Sequence, residues 1–239
     1  MHIAKQTLYG DTMPSISENI SKVRAQLADA AREYDRNEND ITLLAVSKKQ
    51  SVAKLQEAYA AGQREFGENY VQEALEKIAE LKMPGLVWHF IGPIQSNKTA
   101  QIAANFDWVH SIDRLKIAQR LSAQRASAMG RLKVCVQVNL SNETTKSGVL
   151  LDQAAELCHQ VNALPHLELR GLMAIPAPSD TFAEQRRIFE DISILFSELQ
   201  KTYPQLDTLS IGMSADFAAA IAQGSTMVRI GTAIFGARD

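Results

Sequence analysis

The sequence predicts an α/β fold, a single (β/α)8 TIM barrel that carries an extra helix at its N-terminus. Eight short apolar runs alternate with segments of helical spacing, a pattern that requires parallel strands joined by right-handed crossovers. The length of 239 residues suits one such barrel. Because no linker or change of composition divides the chain, residues 1–239 are expected to form one domain.

An open, doubly wound sheet is the alternative arrangement for alternating strands and helices. Such a sheet normally has a glycine-rich turn after its first strand. Here the first apolar run is followed by Ser47-Lys48-Lys49-Gln50, which contains no glycine. The barrel is therefore the favoured prediction, although the fourth strand is short and weakly marked.

The segment before the first strand is predicted to be a loose arm followed by a helix. Residues 1–13 show no hydrophobic period, as is common for chain termini. Ser15 and Glu18 have the spacing of a capping box. Apolar residues then recur at helical spacing, namely Ile16, Ile20, Val23, Leu27 and Tyr34. This helix would flank or plug the barrel.

The eight strands are predicted from short apolar runs, which are typical of strands buried on both faces of a parallel sheet. Gly62, Pro84, Pro204 and Gly224 mark the ends of helices between them. The predicted strands are residues 43–46, 64–66, 87–91, 108–111, 134–138, 167–173, 208–211 and 227–230. The predicted helices are residues 52–61, 71–81, 98–105, 115–121, 154–161, 182–199 and 216–222.

The composition argues against several classes of function. A net charge of −2 and an isoelectric point near 6.2 provide no basic field for nucleic acid. No apolar segment is long enough to span a membrane, and the N-terminus lacks the apolar region of a signal peptide. Cys135 and Cys158 have no metal-ligand spacing and are expected to be reduced core thiols. The prediction is a cytoplasmic protein without a metal, a nucleic-acid partner or a membrane segment.

The first strand ends in two lysines, Lys48 and Lys49. In α/β barrels the chemistry lies at the mouth formed by the carboxyl ends of the strands. A lysine amine there can form a Schiff base with a carbonyl ligand when its surroundings lower the pKa of the amine. Alternation puts the two lysines on opposite faces, but both faces of this run are apolar, so the pattern does not choose between them.

Glycine-containing loops follow the seventh and eighth predicted strands, with Gly212 in the first loop and Gly231 in the second. Barrels commonly bind phosphate between these two loops through backbone N–H groups at a helix N-terminus. Taken alone, a glycine at such a position more often serves only a turn. Together with a lysine after the first strand, the loops suggest a phosphorylated carbonyl ligand, and pyridoxal 5′-phosphate (PLP) has both groups.

Arg229 lies two residues before Gly231 and would share its face of the last strand. A guanidinium can donate a hydrogen bond to a pyridine nitrogen and keep that nitrogen unprotonated. The alternative for Arg229 is a structural ion pair at the barrel rim.

Six stretches of the chain resemble the pyridoxal phosphate homeostasis proteins, formerly called proline synthetase co-transcribed homologues. The resemblance extends over nearly the whole chain from about Ile16 onward. The stretches are residues 43–48 (LLAVSK), 66–73 (FGENYVQE), 88–98 (WHFIGPIQSNK), 171–176 (GLMAIP), 209–214 (LSIGMS) and 228–236 (VRIGTAIFG). The resemblance implies a barrel like the N-terminal domain of bacterial alanine racemase, with PLP on a lysine and usually no catalysis detected.

The resemblance also implies the site residues. Lys48, rather than Lys49, would hold PLP as an internal aldimine, which is a covalent Schiff base. Asn69 and Met173 would line the ring pocket, and Arg229 would face the pyridine nitrogen. The phosphate would be held by Ser210, Ser214, Gly231 and Thr232.

By this resemblance the chain is expected to be a PLP carrier in vitamin B6 homeostasis, without catalytic turnover. Racemases of this fold take a second base, a tyrosine, from an added β-domain, and no such domain is predicted after the eighth strand. Only Tyr70 is expected near the mouth, and His89 is expected to be a hydrogen-bonded core residue rather than a base. The expected state is a monomer whose possible recipients are PLP-dependent apoenzymes.

Two alternatives remain for the function. One is a PLP-dependent amino-acid racemase that uses Lys48 and Tyr70. The other is a PLP-free barrel enzyme that acts on a phosphorylated sugar through a lysine Schiff base. Lys98 and Lys146, in loops after the third and fifth strands, are expected to be solvated charges.

Overall fold

The computed structural model describes residues 14–141 and 147–236; the predicted arm, residues 1–13, and Lys146 lie outside these ranges. The strands are β1 (Thr42–Val46), β2 (Glu65–Glu68), β3 (Val87–Phe90), β4 (Trp108–Ile112), β5 (Leu132–Asn139), β6 (Val149–Leu150), β7 (Leu167–Ala174), β8 (Thr208–Ser210) and β9 (Met227–Ile230). The helices are α1 (Ile16–Glu33), α2 (Val52–Ala60), α3 (Val71–Glu80), α4 (Thr99–Asn105), α5 (Leu115–Gln124), α6 (Leu151–Asn162), α7 (Phe182–Thr202), α8 (Phe217–Ala222) and α9 (Thr232–Phe235). None of the helices within the described ranges is long and apolar enough to cross a bilayer.

Eight parallel strands close into a barrel. Hydrogen-bonded neighbours follow the order β4-β3-β2-β1-β9-β8-β7-β5, and pairing between β4 and β5 completes the circle. The helices that connect these strands surround the barrel. The predicted (β/α)8 barrel is therefore confirmed, and the open-sheet alternative is wrong.

Every predicted strand corresponds to an observed strand of the barrel, with ends that differ by at most two residues. The structure has one further strand, β6, which the sequence pattern does not predict. It has two residues, and among the described residues it pairs with β5 alone, so it is too short for a sequence pattern to reveal it.

Alternate side chains of each strand point into the barrel or toward the helices. On β1, Leu43 joins the large core between strands and helices, whereas Leu44 belongs to a small cluster inside the barrel. The interior clusters are Leu44, Ile91 and Met227, and Trp108, Cys135 and Met173. The apolar contribution to the interior is thus limited, and polar residues occupy much of the remaining space.

The N-terminal helix, α1, packs on the outside of the barrel beside α2, α8 and α9. Ser15 Oγ accepts the Glu18 N–H at 3.2 Å, and the Glu18 carboxylate accepts the Ser15 N–H at 2.7 Å, so the predicted capping box is confirmed. The Asn19 amide donates to Ile234 O at 2.9 Å. Helix α1 therefore flanks the barrel and does not plug it.

Both cysteines are fully buried and form no disulfide. Burial raises the pKa of the Cys135 thiol, and it raises the pKa of Cys158 to about 12. Cys135 lies inside the barrel on β5, and Cys158 lies on α6 in the layer between helices and strands. The expectation of reduced core thiols is confirmed.

Candidate cofactor site

The predicted site lies at the mouth formed by the carboxyl ends of the barrel strands. Lys48 follows the last residue of β1 by two positions and is partly buried. Lys49 is exposed and has a left-handed backbone conformation with φ of 59°. Of the two lysines that the sequence pattern could not separate, Lys48 is the more enclosed.

Hydrogen bonds hold the backbone on both sides of Lys48. The Lys77 ammonium, on α3, donates to Ser47 O at 2.7 Å, and the Glu73 carboxylate accepts the Lys49 N–H at 2.5 Å. Lys77 also donates to Glu73 Oε1 at 2.6 Å, which joins the two contacts. Helix α3 therefore fixes the loop that carries Lys48.

This support includes a buried carboxylate, Glu68, at the end of β2. One of its oxygens accepts the Ser47 hydroxyl at 2.6 Å and the Lys77 ammonium at 2.8 Å. Its other oxygen is buried and has no hydrogen-bond partner among the described residues. Burial raises the pKa of Glu68, and the charge of Lys77 opposes the rise. Lys77 is therefore the cation that stabilises this buried charge.

The predicted site residues lie on one arc of the barrel. The strand order β7-β8-β9-β1-β2 places the ends of these five strands side by side. Lys48, after β1, therefore lies between the loop that follows β2 and the loop that follows β9. Along the arc the predicted residues are Met173, Ser210, Ser214, Arg229, Gly231, Thr232, Lys48 and Asn69.

Asn69, directly after β2, has a buried polar atom without a partner. Its Oδ1 accepts no hydrogen bond within residues 14–141 and 147–236, an arrangement that costs free energy unless a donor completes it. The next loop approaches closely, because a Cβ on Gly92 would lie 2.3 Å from Asn69 O. Asn69 borders two clefts at the mouth, of about 400 Å³ and about 290 Å³. A ligand donor at this wall would complete its hydrogen bonding.

The loop after β8 is hydrogen-bonded to β9, and the loop after β9 lies against β1. The Arg229 N–H donates to Gly212 O at 3.0 Å. Gly212 has φ of +94°, a conformation that side chains rarely adopt, and a Cβ on Gly231 would lie 3.1 Å from Val46 O. The backbone of the loop after β9 therefore approaches the carboxyl end of β1, where Lys48 follows.

These loops present hydrogen-bond donors at the mouth. The side chains of Ser214 and Thr232 are exposed. Among the residues that the structure describes, the N–H groups of Ser214, Thr232 and Ala233 donate to no other part of the chain. A set of backbone and hydroxyl donors of this kind is suited to a phosphate group.

Arg229 lies in the barrel interior and is 4% exposed. It donates through Nη1 to Ser210 O at 2.5 Å and Ser210 Oγ at 2.9 Å, and through Nη2 to Ala174 O at 2.8 Å. Burial lowers the pKa of Arg229 to about 10, and the charge of Asp216 opposes this change, so the guanidinium remains a cation at neutral pH. Its hydrogen-bond acceptors are uncharged, and the ion pair at the rim that was the alternative is absent from the described residues.

Two of the predicted residues lie below the mouth. Ser210 and Met173 are register partners on β8 and β7, and both are fully buried. The Ser210 hydroxyl contacts Arg229 and, at 3.0 Å, His110 Nδ1. The Ser210 hydroxyl is therefore placed against Arg229 and His110, and its phosphate contact stays a prediction.

His110 is a residue of the site that the sequence did not reveal. Its fully buried ring contacts Ser210 through Nδ1 and His89 Nδ1 through Nε2, the latter at 2.9 Å. Burial holds the pKa of His110 well below its ordinary value, and the charges of His89 and Arg229 act in the same direction. His89 also contacts Glu65, so the expected role of His89 as a hydrogen-bonded core residue is confirmed.

We expect His110 to make the protein less stable in acid. The folded protein keeps this ring neutral, whereas the unfolded chain binds a proton there below about pH 6.5. Because the unfolded state then holds more protons, the free energy of unfolding should fall by up to about 1.4 kcal/mol per pH unit below that pH. Urea denaturation at a series of pH values measures the slope.

The substitution His110→Gln should flatten this acid-dependent loss, since the titrating ring is gone. His159→Gln provides the matched control, because His159 is exposed on α6 and should leave the slope unchanged. Equal slopes for the parent and both variants would contradict the role assigned to His110.

The fold and the arc of residues at its mouth define a barrel of the alanine racemase N-terminal type. The family model "Alanine racemase, N-terminal domain" matches residues 16–239. Alanine racemase from Corynebacterium glutamicum superposes with a TM-score of 0.71 over 93% of this chain and 60% of that chain, at 19% identity. At that identity the similarity concerns the fold alone.

Closer relatives narrow the class. The pyridoxal phosphate homeostasis protein of Escherichia coli (strain K12) is 52% identical over 230 residues, which are 95% of this chain and 98% of that protein. The protein of the same name from Pseudomonas aeruginosa is 55% identical over 227 residues, 95% and 97% of the two chains. PipY of Synechococcus elongatus, in a structure with PLP bound, superposes with a TM-score of 0.80 at 38% identity, over 93% of this chain and 100% of that chain. This chain belongs to the pyridoxal phosphate homeostasis protein family.

Proposed function

We propose that this protein binds pyridoxal 5′-phosphate at the mouth of its barrel and takes part in intracellular PLP homeostasis. The observation that carries the proposal is the position of Lys48. It lies between Asn69, whose Oδ1 has no partner among the described residues, and the glycine loops of Gly212 and Gly231. PLP combines an aldehyde, a phosphate and a polar ring. The PLP bound to PipY and the names of the sequence relatives support the same ligand.

The reactive and anionic groups of PLP have proposed partners on the arc. Lys48 binds the aldehyde carbon as a Schiff base. The N–H groups and hydroxyls of Ser214 and Thr232 hold the phosphate, and Gly231 permits the close approach of its backbone. When bound, PLP supplies an electron-withdrawing ring.

The ring has proposed partners as well. Arg229, a cation at neutral pH, donates to the pyridine nitrogen. Asn69 offers Oδ1, which has no partner within the described part of the chain, to a hydrogen-bond donor at the ring edge, and Met173 packs in the layer below the ring. Ser210 supports Arg229 from within the barrel.

Chemical trapping tests the covalent anchor. Borohydride reduction of the PLP-loaded protein, followed by peptide mapping, should place a pyridoxyl group on Lys48. The substitution Lys48→Ala should abolish both the adduct and the visible absorption band. Lys49→Ala is the matched control, because it removes the adjacent, exposed lysine and should retain both.

Two results would refute this assignment. An adduct on Lys49 in the parent protein would move the anchor by one residue. A colourless protein with an unmodified peptide from residues 41–54 would remove PLP from the proposal and favour a PLP-free enzyme that acts on a phosphorylated sugar.

We further propose that the loaded protein performs no catalytic turnover. A catalytic base must be positioned against the atom whose proton it takes. Tyr70 is the tyrosine at the mouth, and it is 49% exposed, with no side-chain hydrogen bond to other described residues. Among the described residues, Lys48 therefore offers an anchor for PLP, whereas Tyr70 is not held in place as a second base. A carrier of this kind would act as a cytoplasmic monomer and pass PLP to PLP-dependent apoenzymes.

The second candidate function is an amino-acid racemase, which the place of Tyr70 beside the Asn69 cleft favours. Incubation of the loaded protein with a panel of L-amino acids, followed by chiral analysis, distinguishes the two. We expect no D-amino acid above the level produced by free PLP. Racemisation that is lost in both Lys48→Ala and Tyr70→Phe would establish the racemase instead.

A further inference from the structure

A chain of hydrogen bonds crosses the barrel interior from the proposed cofactor mouth toward the opposite mouth. Arg229 Nη1 donates to Ser210 Oγ at 2.9 Å, and Ser210 Oγ contacts His110 Nδ1 at 3.0 Å. His110 Nε2 contacts His89 Nδ1 at 2.9 Å, and His89 Nε2 contacts Glu65 Oε2 at 2.5 Å. The first four residues are buried, and the Glu65 side chain is 31% exposed. The chain thus connects a buried cation to a solvent-accessible carboxylate.

The chemistry of the two ends sets the direction of the bonds between them. The Arg229 guanidinium is only a donor, and an ionised Glu65 carboxylate is only an acceptor. Since Ser210 Oγ accepts from Arg229, its hydroxyl is available to donate to His110 Nδ1. His110 then carries its proton on Nε2 and donates to His89, which donates through its own Nε2 to Glu65. Each of the four contacts then joins one donor to one acceptor, and this arrangement needs no charge on either ring.

The opposite direction satisfies fewer groups. It requires a protonated Glu65 or an imidazolium at His89, and it leaves the Ser210 hydroxyl without His110 as its acceptor. A second cation in the interior beside Arg229 would carry a large desolvation cost. The first direction is therefore the one that these contacts favour.

We propose that Glu65, His89 and His110 are positioning residues for Arg229. Together they orient the Ser210 hydroxyl so that its oxygen accepts a hydrogen bond from the Arg229 guanidinium. This inference rests on the proposed PLP site, in which Arg229 is the donor to the ring nitrogen. Glu65 would thus influence the ring from the far end of the barrel, where it borders a cavity of about 540 Å³. The charged residues that line this cavity with it are Arg36, Asp40, Lys133, Arg170 and Asp207.

Nitrogen NMR of the histidine rings tests the direction of the chain without any cofactor. In the unsubstituted protein, His89 and His110 should both be neutral and protonated on Nε2. Glu65→Gln retains an acceptor oxygen and should leave both tautomers unchanged. Glu65→Lys replaces the acceptor with a donor and should move the proton of both rings to Nδ1. An Nδ1 tautomer of His110 or an imidazolium at His89 in the unsubstituted protein would overturn the proposal, whether or not the variants fold.

The dissociation constant for PLP tests whether the chain acts on the site. Glu65→Lys should raise it about tenfold, the effect expected when one hydrogen bond to a charged group is lost. Glu168→Lys is the matched control, because Glu168 lies at the same end of the barrel but takes no part in this series of hydrogen bonds. Its carboxylate contacts Arg170 Nη1 at 3.3 Å. This control makes the same charge change and should stay within about twofold of the parent.

The outcomes separate this inference from the proposed function. An unchanged PLP affinity in Glu65→Lys, with PLP bound normally by the parent, would overturn the positioning role and leave the PLP site intact. Equal losses in Glu65→Lys and Glu168→Lys would assign the effect to charge at that mouth and would also overturn it. Failure of the parent to bind PLP would overturn the proposed function itself.

Discussion

Replacement of Lys77 by methionine should destabilise the protein by about 3–5 kcal/mol at neutral pH, because it leaves a buried carboxylate without its counter-ion. Lys77 is 4% exposed and donates to Ser47 O, Glu68 Oε1 and Glu73 Oε1. Glu68 is fully buried, and its second oxygen already has no partner among the described residues. Urea denaturation measures the free energy of unfolding.

The pH dependence of Lys77→Met identifies the cause of the loss. Burial raises the pKa of Glu68 in the folded protein above its value in the unfolded chain. Between these two pKa values the folded state holds more protons than the unfolded state, so the free energy of unfolding falls as the pH rises. The deficit of the variant should therefore be smaller near about pH 5 than near about pH 8. Adding Glu68→Gln should recover at least about 1 kcal/mol.

Lys82→Met is the matched control for this series. Lys82 follows α3 and is exposed, so its substitution should change stability by no more than about 0.5 kcal/mol. A loss below about 1 kcal/mol in Lys77→Met would mean that water or another group replaces the ammonium.

Replacement of Gly171 by alanine should destabilise the barrel by about 3 kcal/mol or more, because strands β7 and β8 would have to separate. A Cβ at this position would lie 1.7 Å from Thr208 O and 2.6 Å from Thr208 C. Gly171 and Thr208 are register partners, and backbone atoms in a paired strand cannot turn aside as a side chain can. Urea denaturation and the yield of folded protein measure the effect.

Gly67→Ala is the matched control inside the same barrel. The nearest atoms to a Cβ on Gly67 are side-chain atoms of Ile91 at 3.1 Å and Leu44 at 3.3 Å. These side chains can adjust by a few tenths of an ångström, so the cost should stay below about 1 kcal/mol. Equal costs for the two alanines would show that close backbone approach is not what requires Gly171.

The barrel could be predicted because its main determinant is local. Each strand of the closed sheet is buried on both faces, and a run such as residues 43–46 therefore stands out from the amphipathic helices on either side. The predicted strand ends differ from the observed ones by up to two residues, and β6 is not predicted, because two residues that pair at the rim of β5 carry no pattern. The lysine and the glycine loops were found because barrels place chemistry at known strand ends.

The layer below the mouth could not be derived from the same rules. Ser210 and Ser214 are both hydroxyl residues near Gly212, yet Ser210 is buried against Arg229 whereas Ser214 is exposed. Strand alternation is a partial indication of this contact, because it directs the side chains of Ser210 and Arg229 on neighbouring strands into the barrel, where they can meet. The burial of Lys77 had no such indication, since it depends on the distance between α3 and the ends of β1 and β2.

The two buried thiols make the chain a reporter of its own opening. The thiolate is the reactive form of cysteine, and Cys135 and Cys158 are fully buried with raised pKa values. An alkylating reagent can therefore modify them only in molecules that have opened. Cys135 lies inside the barrel, and Cys158 lies on α6 in the layer between helices and strands. The labelling rate of Cys135 therefore reports the opening of the barrel, and that of Cys158 reports the detachment of α6. No probe has to be introduced, and the same experiment can follow how cofactor loading changes each rate.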